Sequence, residues 1–141
     1  MRCVARFLKL PAGDRWLLVK ALGVVTVVRL RLALMPFRPS AGGSSRPNPR
    51  NAGPSPRRIA WAVERAGNFF GRATCLARAL AAGWLLRQHG FTSQISIGVD
   101  AGQPRNRQSN LIAHAWLELG GEILVGGPDI ARYTSLLTWS N

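Results

Sequence analysis

Residues 71–90 read GRATCLARALAAGWLLRQHG, and they predict a turn followed by a long apolar helix. Thr74 is a preferred N-cap residue, and Gly90 is a preferred residue just after a helix end. Cys75 therefore lies at the predicted helix start, where the positive end of the helix dipole favours a thiolate. Unpaired backbone N–H groups at the same helix end could hold an oxyanion. The stretch thus predicts a helix that begins with a reactive cysteine.

The last third of the chain changes to an alternating pattern of apolar and polar residues. Residues 94–99, 111–119 and 122–125 predict strands, and Gly120-Gly121 is typical of a two-residue hairpin. Residues 133–139 could add a final strand or form a tail. Helices followed by an antiparallel meander predict an α+β fold.

His114 lies in the second predicted strand. Alternation places Ile112, Trp116 and Glu118 on the same face as His114. We expect this face to meet the helix start, so that His114 could act as the base for Cys75. Trp116 could equally pack in the core or cover the imidazole of His114. Cys75 and His114 could also have no catalytic role, since a cysteine and a histidine at this spacing are common in unrelated proteins.

An acidic side chain should orient the imidazole of such a pair. The chain has only six acidic residues, so the choice is short. Asp129 follows the third predicted strand, which pairs with the His114 strand, and is the best placed. Glu118 should point past the ring, and Glu122 starts the return strand and is less well placed.

The first half of the chain divides by composition. Residues 14–35 predict a helix with Asp14 as its N-cap, and residues 59–70 predict a short helix that stops at Gly67-Asn68. A Pro-, Gly- and Arg-rich stretch between them cannot bury a core and predicts a flexible linker between two separable pieces. The sequence thus predicts three parts: an N-terminal helical segment over 1–37, a linker over 38–58 and a domain over 59–141.

The charge of the chain favours an acidic partner without choosing one. Nineteen Lys and Arg against six Asp and Glu give a formal net charge of +13. Nucleic acid, an anionic membrane surface and an acidic peptide all fit. Residues 16–37 are apolar, but charged residues interrupt them, so we expect no membrane span and leave peripheral membrane contact through residues 14–37 open. No signal peptide is recognisable.

The two cysteines and the second histidine indicate little more. Cys3 and Cys75 form no disulfide framework and no CxxC zinc motif, so a reducing cytoplasm is the expected location. Cys3 is expected to be a small buried apolar residue rather than a reactive thiol. His89 should lie in the last turn of the cysteine helix, where a cation is favourable.

Several blocks of the chain together resemble the transglutaminase-like cysteine proteases of lasso peptide biosynthesis, in particular the stand-alone B protein without a leader-recognition domain. The match runs in order over residues 59–137, and the segment ending near 35–37 also resembles the family. The blocks are residues 74–80, 85–90, 97–99, 113–118 (AHAWLE), 128–129 and 132–133.

The resemblance implies a papain- and transglutaminase-like fold and a function in leader removal. The enzyme would cleave the leader from a ribosomally made precursor peptide, in the cytoplasm and without metal or organic cofactor. Cys75 would be the nucleophile, His114 the general base and Asp129 the orienting acid, and Trp116 could contact the substrate. Some relatives carry the acid a few residues earlier, where this chain has Gly126-Gly127.

The resemblance also implies partners. A small leader-recognition protein would deliver the precursor, and a cyclase would close the macrolactam. The alternative is a non-catalytic basic protein that binds nucleic acid or an anionic surface, or that serves as an adaptor. Nucleic acid is not expected, because aromatic residues do not alternate with the arginines as a stacking platform requires.

Overall fold

The computed structural model describes residues 10–35, 53–69, 74–100, 113–127 and 129–140, and for Asp129 the backbone only. The described chain forms α1 (Ala12–Leu34), α2 (Pro56–Phe69), α3 (Cys75–Gln88), β1 (Gln94–Asp100), β2 (Ala113–Leu119), β3 (Glu122–Val125), a short 3-10 helix (Asp129–Arg132) and β4 (Tyr133–Ser140). The predicted α+β fold is confirmed. Cys3 and most of the predicted linker lie outside the described residues.

Helix α1 begins earlier than the sequence predicted, and Asp14 is not its N-cap. The Pro11 carbonyl accepts the N–H groups of Asp14 at 2.9 Å and Arg15 at 3.1 Å, so the first turn already includes them. Asp14 lies in that turn, where a carboxylate suits the helix dipole, and it accepts a hydrogen bond from Arg58 of α2. The β-branched residues Val24 and Val25 remain helical because both are buried in the core.

Helix α2 also differs at both ends from its predicted bounds. It begins at Pro56, a favourable first helical residue, and the Ser55 hydroxyl accepts the Arg58 N–H at 3.4 Å. Residues 56–58 of the predicted linker are therefore helical. At the other end the helix continues through Gly67 to Phe69, because Gly67 is buried against the Arg78 side chain of α3.

Helix α3 confirms the prediction most closely. It begins at Cys75, and the N-cap Thr74 accepts the N–H of Ala77 through its hydroxyl at 3.3 Å. Gly90 follows the helix with φ +79°, a conformation that glycine adopts readily. The small residues Ala79, Ala81 and Ala82 are fully buried, which lets neighbouring elements approach α3 closely.

The four strands form one antiparallel sheet in the order β3-β2-β1-β4. Gly120 and Gly121 join β2 to β3 with φ of +57° and +86°, as the hairpin prediction required. The first three strands are the predicted meander. Residues 133–140 form a strand rather than a tail, and this strand pairs with β1 at the far edge, so β1 is an interior strand.

One hydrophobic core joins α1, α2, α3 and one face of the sheet. Its buried members include Leu17 and Val25 of α1, Ile59 and Val63 of α2, Leu85 and Leu86 of α3, and Ile95, Ala115, Leu117 and Val125 of the sheet. The N-terminal helix, which the sequence predicted as a separable piece, thus shares its core with the rest of the described chain. Among the described helices, none has the length and apolarity that crossing a membrane requires.

Candidate active site

Cys75 is the first residue of α3 and is half-buried at the edge of the core. The Thr74 hydroxyl accepts the Ala77 N–H, whereas the N–H groups of Cys75 and Leu76 have no acceptor within the helix. Two backbone donors therefore lie beside the thiol-bearing residue. This arrangement suits the stabilisation of an oxyanion next to a nucleophile.

The first turn of α3 is fixed to α2 by Arg78. Its guanidinium donates to Glu64 at 2.8 Å and to Asn68 at 3.0 Å. The arginine side chain passes directly over Gly67, where a Cβ atom would lie 2.6 Å from Nε. The position of Cys75 thus depends on a polar contact between two helices, which the sequence analysis did not predict.

His114 lies on the face of β2 that points away from the core. Ala115 and Leu117 belong to the core, so alternation directs His114 and Trp116 to the other face. No hydrogen bond joins Cys75 and His114, both of which the structure describes. Catalytic hydrogen bonds are often formed only with substrate present, so the catalytic pair stays a prediction.

The imidazole of His114 is held by a backbone carbonyl. Its Nε2 atom lies 2.6 Å from the carbonyl oxygen of Gly126, just beyond the end of β3. A carbonyl can only accept, so Nε2 must carry the proton. In the neutral ring this leaves the lone pair on Nδ1, which is therefore the nitrogen able to accept a proton.

Two aromatic rings flank the same imidazole. The Tyr133 ring of β4 stacks on it with centroids 4.9 Å apart and an interplanar angle of 28°, and the Trp116 ring lies 6.4 Å away. Gly98 of β1, directly opposite His114 in the register, makes room for them. A Cβ atom at Gly98 would lie 3.0 Å from the Trp116 ring.

Gly126 is a tightly constrained glycine. Its φ is +115°, and a Cβ atom there would lie 2.5 Å from the Cβ atom of Trp116. Any side chain would therefore displace the strand that carries His114 or move the Gly126 carbonyl. In the sequence, Gly126 was notable only as a position where relatives carry an acid, and no pattern indicated a role for Tyr133.

The predicted orienting acid is only partly visible. The backbone of Asp129 begins the 3-10 helix, and its side chain lies outside the described part of the structure. Glu122, the less favoured alternative, pairs with Arg57 of α2 at 2.9 Å. Trp116, the predicted substrate contact, is only 6% exposed. Its ring therefore supports the imidazole more than it offers a free surface to a substrate.

His89 lies at the end of the cysteine helix, as predicted. It caps the C-terminus of α3, and burial together with the nearby Lys20 lowers its pKa. The lowered pKa weakens the favourable interaction of a histidine cation with the helix end. Within the described residues, His, Cys, Asp and Glu side chains form no group of three that could hold a metal ion.

Comparison with known families agrees with this architecture. The model of the transglutaminase-like superfamily matches residues 20–138, which include most of α1, all of α2, the cysteine helix and β1 to β3, and most of β4. No curated protein and no solved structure matches the chain significantly. Members of this superfamily are often cysteine peptidases. Since the match covers most of the 141 residues, the chain belongs to the transglutaminase-like superfamily.

Proposed function

We propose that this protein is a cysteine peptidase that removes the leader from a ribosomally made lasso precursor peptide. The observation that carries the proposal is Cys75 at a capped helix start within a transglutaminase-like domain that also supplies a tethered histidine. The choice of substrate rests on the sequence resemblance to the B proteins of lasso peptide biosynthesis. The net charge of +13 suits an acidic leader.

In the proposed mechanism, the Cys75 thiolate attacks the carbonyl carbon at the cleavage site. The N–H groups of Cys75 and Leu76 donate to the oxyanion of the tetrahedral intermediate. The His114 imidazolium gives its Nδ1 proton to the leaving amine, so that the C–N bond breaks and a thioester remains. Nδ1 then takes a proton from water, and the resulting hydroxide releases the leader acid and regenerates the thiolate.

The mechanism assigns the orienting role to the Gly126 carbonyl. It accepts the hydrogen bond from Nε2–H in both the neutral and the protonated ring, and it therefore keeps Nδ1 as the reacting nitrogen. Asp129 remains the alternative, as the resemblance implies. The two proposals differ in what a substitution of Asp129 does to the reaction.

The test is cleavage of a full-length precursor by the purified protein together with the recognition protein. We expect Cys75→Ala and His114→Ala each to reduce the rate by more than about 1,000-fold. The chain offers matched controls in its other cysteine, Cys3, to which the proposal gives no role, and in its other histidine, His89, which caps the opposite end of α3 from Cys75. Cys3→Ala and His89→Ala should therefore cleave at nearly the parent rate. Normal cleavage by Cys75→Ala would show that the assignment is wrong.

A second candidate function has one observation in its favour. The described structure contains no hydrogen bond between Cys75 and His114, as a non-catalytic adaptor would not need one. Such an adaptor would bring the recognition protein and the macrolactam-forming cyclase together. It would be supported by unchanged product formation with Cys75→Ala in a mixture that contains all partners.

A further inference from the structure

Helix α1 has two apolar faces, and only one of them is covered. Leu17, Ala21, Val24 and Val25 are buried in the core. The opposite side carries the outer stripe, which we define by its large exposed residues and the small exposed residues between them: Trp16 (71% exposed), Val19 (52%), Gly23, Thr26, Val27 (58%), Leu30 (60%), Ala33 and Leu34 (74%). At 1.5 Å per residue the stripe is about 27 Å long.

The spacing of the outer stripe makes it a continuous surface. Trp16, Gly23 and Leu30 recur every seventh residue, and Val19, Val27 and Leu34 fill the positions between them. These residues lie within a narrow sector of a helix with 3.6 residues per turn. Single exposed apolar residues are normal, but a contiguous apolar strip on one helix marks an interaction surface.

Cationic residues border the outer stripe on both sides. At 100° per residue, Lys20 and Arg31 fall along one border, and Arg15 and Arg29 fall along the other. The acidic residue of α1, Asp14, is paired with Arg58. The helix therefore presents an apolar centre between two positive margins, the pattern of helices that lie in the interface of an anionic membrane.

The hydroxyl group within the outer stripe is already hydrogen-bonded. The Thr26 hydroxyl donates to the Leu22 carbonyl of the same helix at 2.7 Å. It therefore brings no unpaired donor when water is removed from the stripe. This bond suits contact with a medium that offers no hydrogen-bond partner, such as the acyl region of a lipid layer.

We infer that α1 docks on an anionic membrane surface through the outer stripe. The apolar residues enter the boundary between head groups and acyl chains, while the bordering cations meet lipid phosphates and carboxylates. A second copy of the chain fits less well, because both partners would bring positive margins together on proteins of charge +13. The inference does not depend on the proposed peptidase activity.

The experiment is flotation of the full-length protein with vesicles of phosphatidylcholine alone and with 30% phosphatidylserine. We expect binding to the anionic vesicles only, with a marked decrease between 0.1 and 0.5 M salt. The double variant Val27→Gln/Leu30→Gln should bind about tenfold more weakly. Both residues are exposed, so folding should be preserved, which thermal unfolding followed by circular dichroism verifies.

The matched control is Leu136→Gln, because Leu136 of β4 is 65% exposed, close to the 60% of Leu30. It should bind the anionic vesicles like the parent protein. Equal binding by the parent and the double variant would overturn the proposal, as would absence of binding to anionic vesicles. Light scattering that shows a dimer lost in the double variant, without vesicle binding, would instead assign the stripe to a second copy.

Discussion

The Nε2 atom of His114 and the carbonyl oxygen of Gly126 lie 2.6 Å apart, and this contact fixes the tautomer of the histidine. A side-chain carboxylate is the usual partner for a catalytic imidazole, since it also stabilises the imidazolium by charge. A carbonyl supplies orientation through its dipole but no full charge. Three predictions test the consequences of this contact, and two others concern the helix that carries Cys75.

The first prediction concerns the protonation of His114 in the free protein. The neutral ring should be the Nε2–H tautomer, because the Gly126 carbonyl accepts only from a protonated nitrogen. Nitrogen-15 chemical shifts in two-bond correlation spectra distinguish the two tautomers. His89→Gln leaves one imidazole in the chain and thus assigns the signals. A dominant Nδ1–H tautomer would contradict the contact.

The second prediction concerns the constrained backbone at Gly126. Gly126→Ala should reduce cleavage strongly, because its Cβ atom would lie 2.5 Å from that of Trp116. Gly127→Ala is the matched control, since Gly127 also has a positive φ, of +79°, but open space around it. The control should lose about 1–2 kcal/mol of unfolding free energy and keep its cleavage rate. Similar cleavage rates for both variants would remove Gly126 from the site.

The third prediction separates the two proposed orienting groups. If the Gly126 carbonyl orients His114, Asp129→Asn should change kcat by less than about threefold and leave the pH profile in place. If Asp129 is the orienting acid, the same substitution should reduce kcat by about 10,000-fold, as expected for loss of the acid from a catalytic triad. Steady-state cleavage rates across pH 5–9 make the distinction, provided that the variant unfolds at the parent temperature.

The fourth prediction concerns the contact that fixes the first turn of α3. Arg78→Met removes the donors to Glu64 and Asn68, so we expect a loss of about 1–3 kcal/mol in unfolding free energy and a slower cleavage step. Arg57→Met is the control, because its pair with Glu122 is at an exposed position and should contribute little. Urea unfolding measures the free energy of unfolding of both variants. An equal effect of the two substitutions would show that the contact does not position the helix.

The fifth prediction uses the pKa of His89, which is lowered mainly by burial and further by the positive charge of Lys20. The unfolded chain binds a proton at this residue more readily than the folded one. Stability should therefore fall as pH decreases through the ordinary pKa range of histidine. The midpoint of urea unfolding at pH 7.5 and pH 5.5 should differ less in His89→Gln than in the parent. Lys20→Met should raise the pKa of His89 in a proton NMR titration.

The sequence predicted the parts of the fold that have strong local signals. The Thr74 cap, the apolar pattern of α3, Gly90 and the Gly120-Gly121 hairpin all act over a few residues, and the structure confirms each of them. The start of α1 was wrong because the Pro11 carbonyl begins the helix before Asp14 can cap it. Tertiary burial, rather than local preference, holds its β-branched segment in a helix.

The candidate site was predictable only where a residue type has its own chemistry. A cysteine at a helix start and a histidine on a strand can be recognised in sequence. The contact from Tyr133 depends on β4 pairing with β1, a long-range choice that no local pattern specifies. The Gly126 contact uses a main-chain atom, which every residue possesses, so no residue type can signal it.

The Gly126 carbonyl has a consequence for how this site would appear in genetics. Mutational scans identify functional groups by deleting side chains, and the acceptor for His114 belongs to the backbone. If the Gly126 carbonyl orients a catalytic His114, a scan of this chain to alanine would report a cysteine and a histidine with no third side chain, and loss of activity at Gly126 would be mistaken for a folding defect. Replacement of the Gly126–Gly127 amide by an ester, through chemical ligation, would weaken the carbonyl as an acceptor and reveal the missing participant.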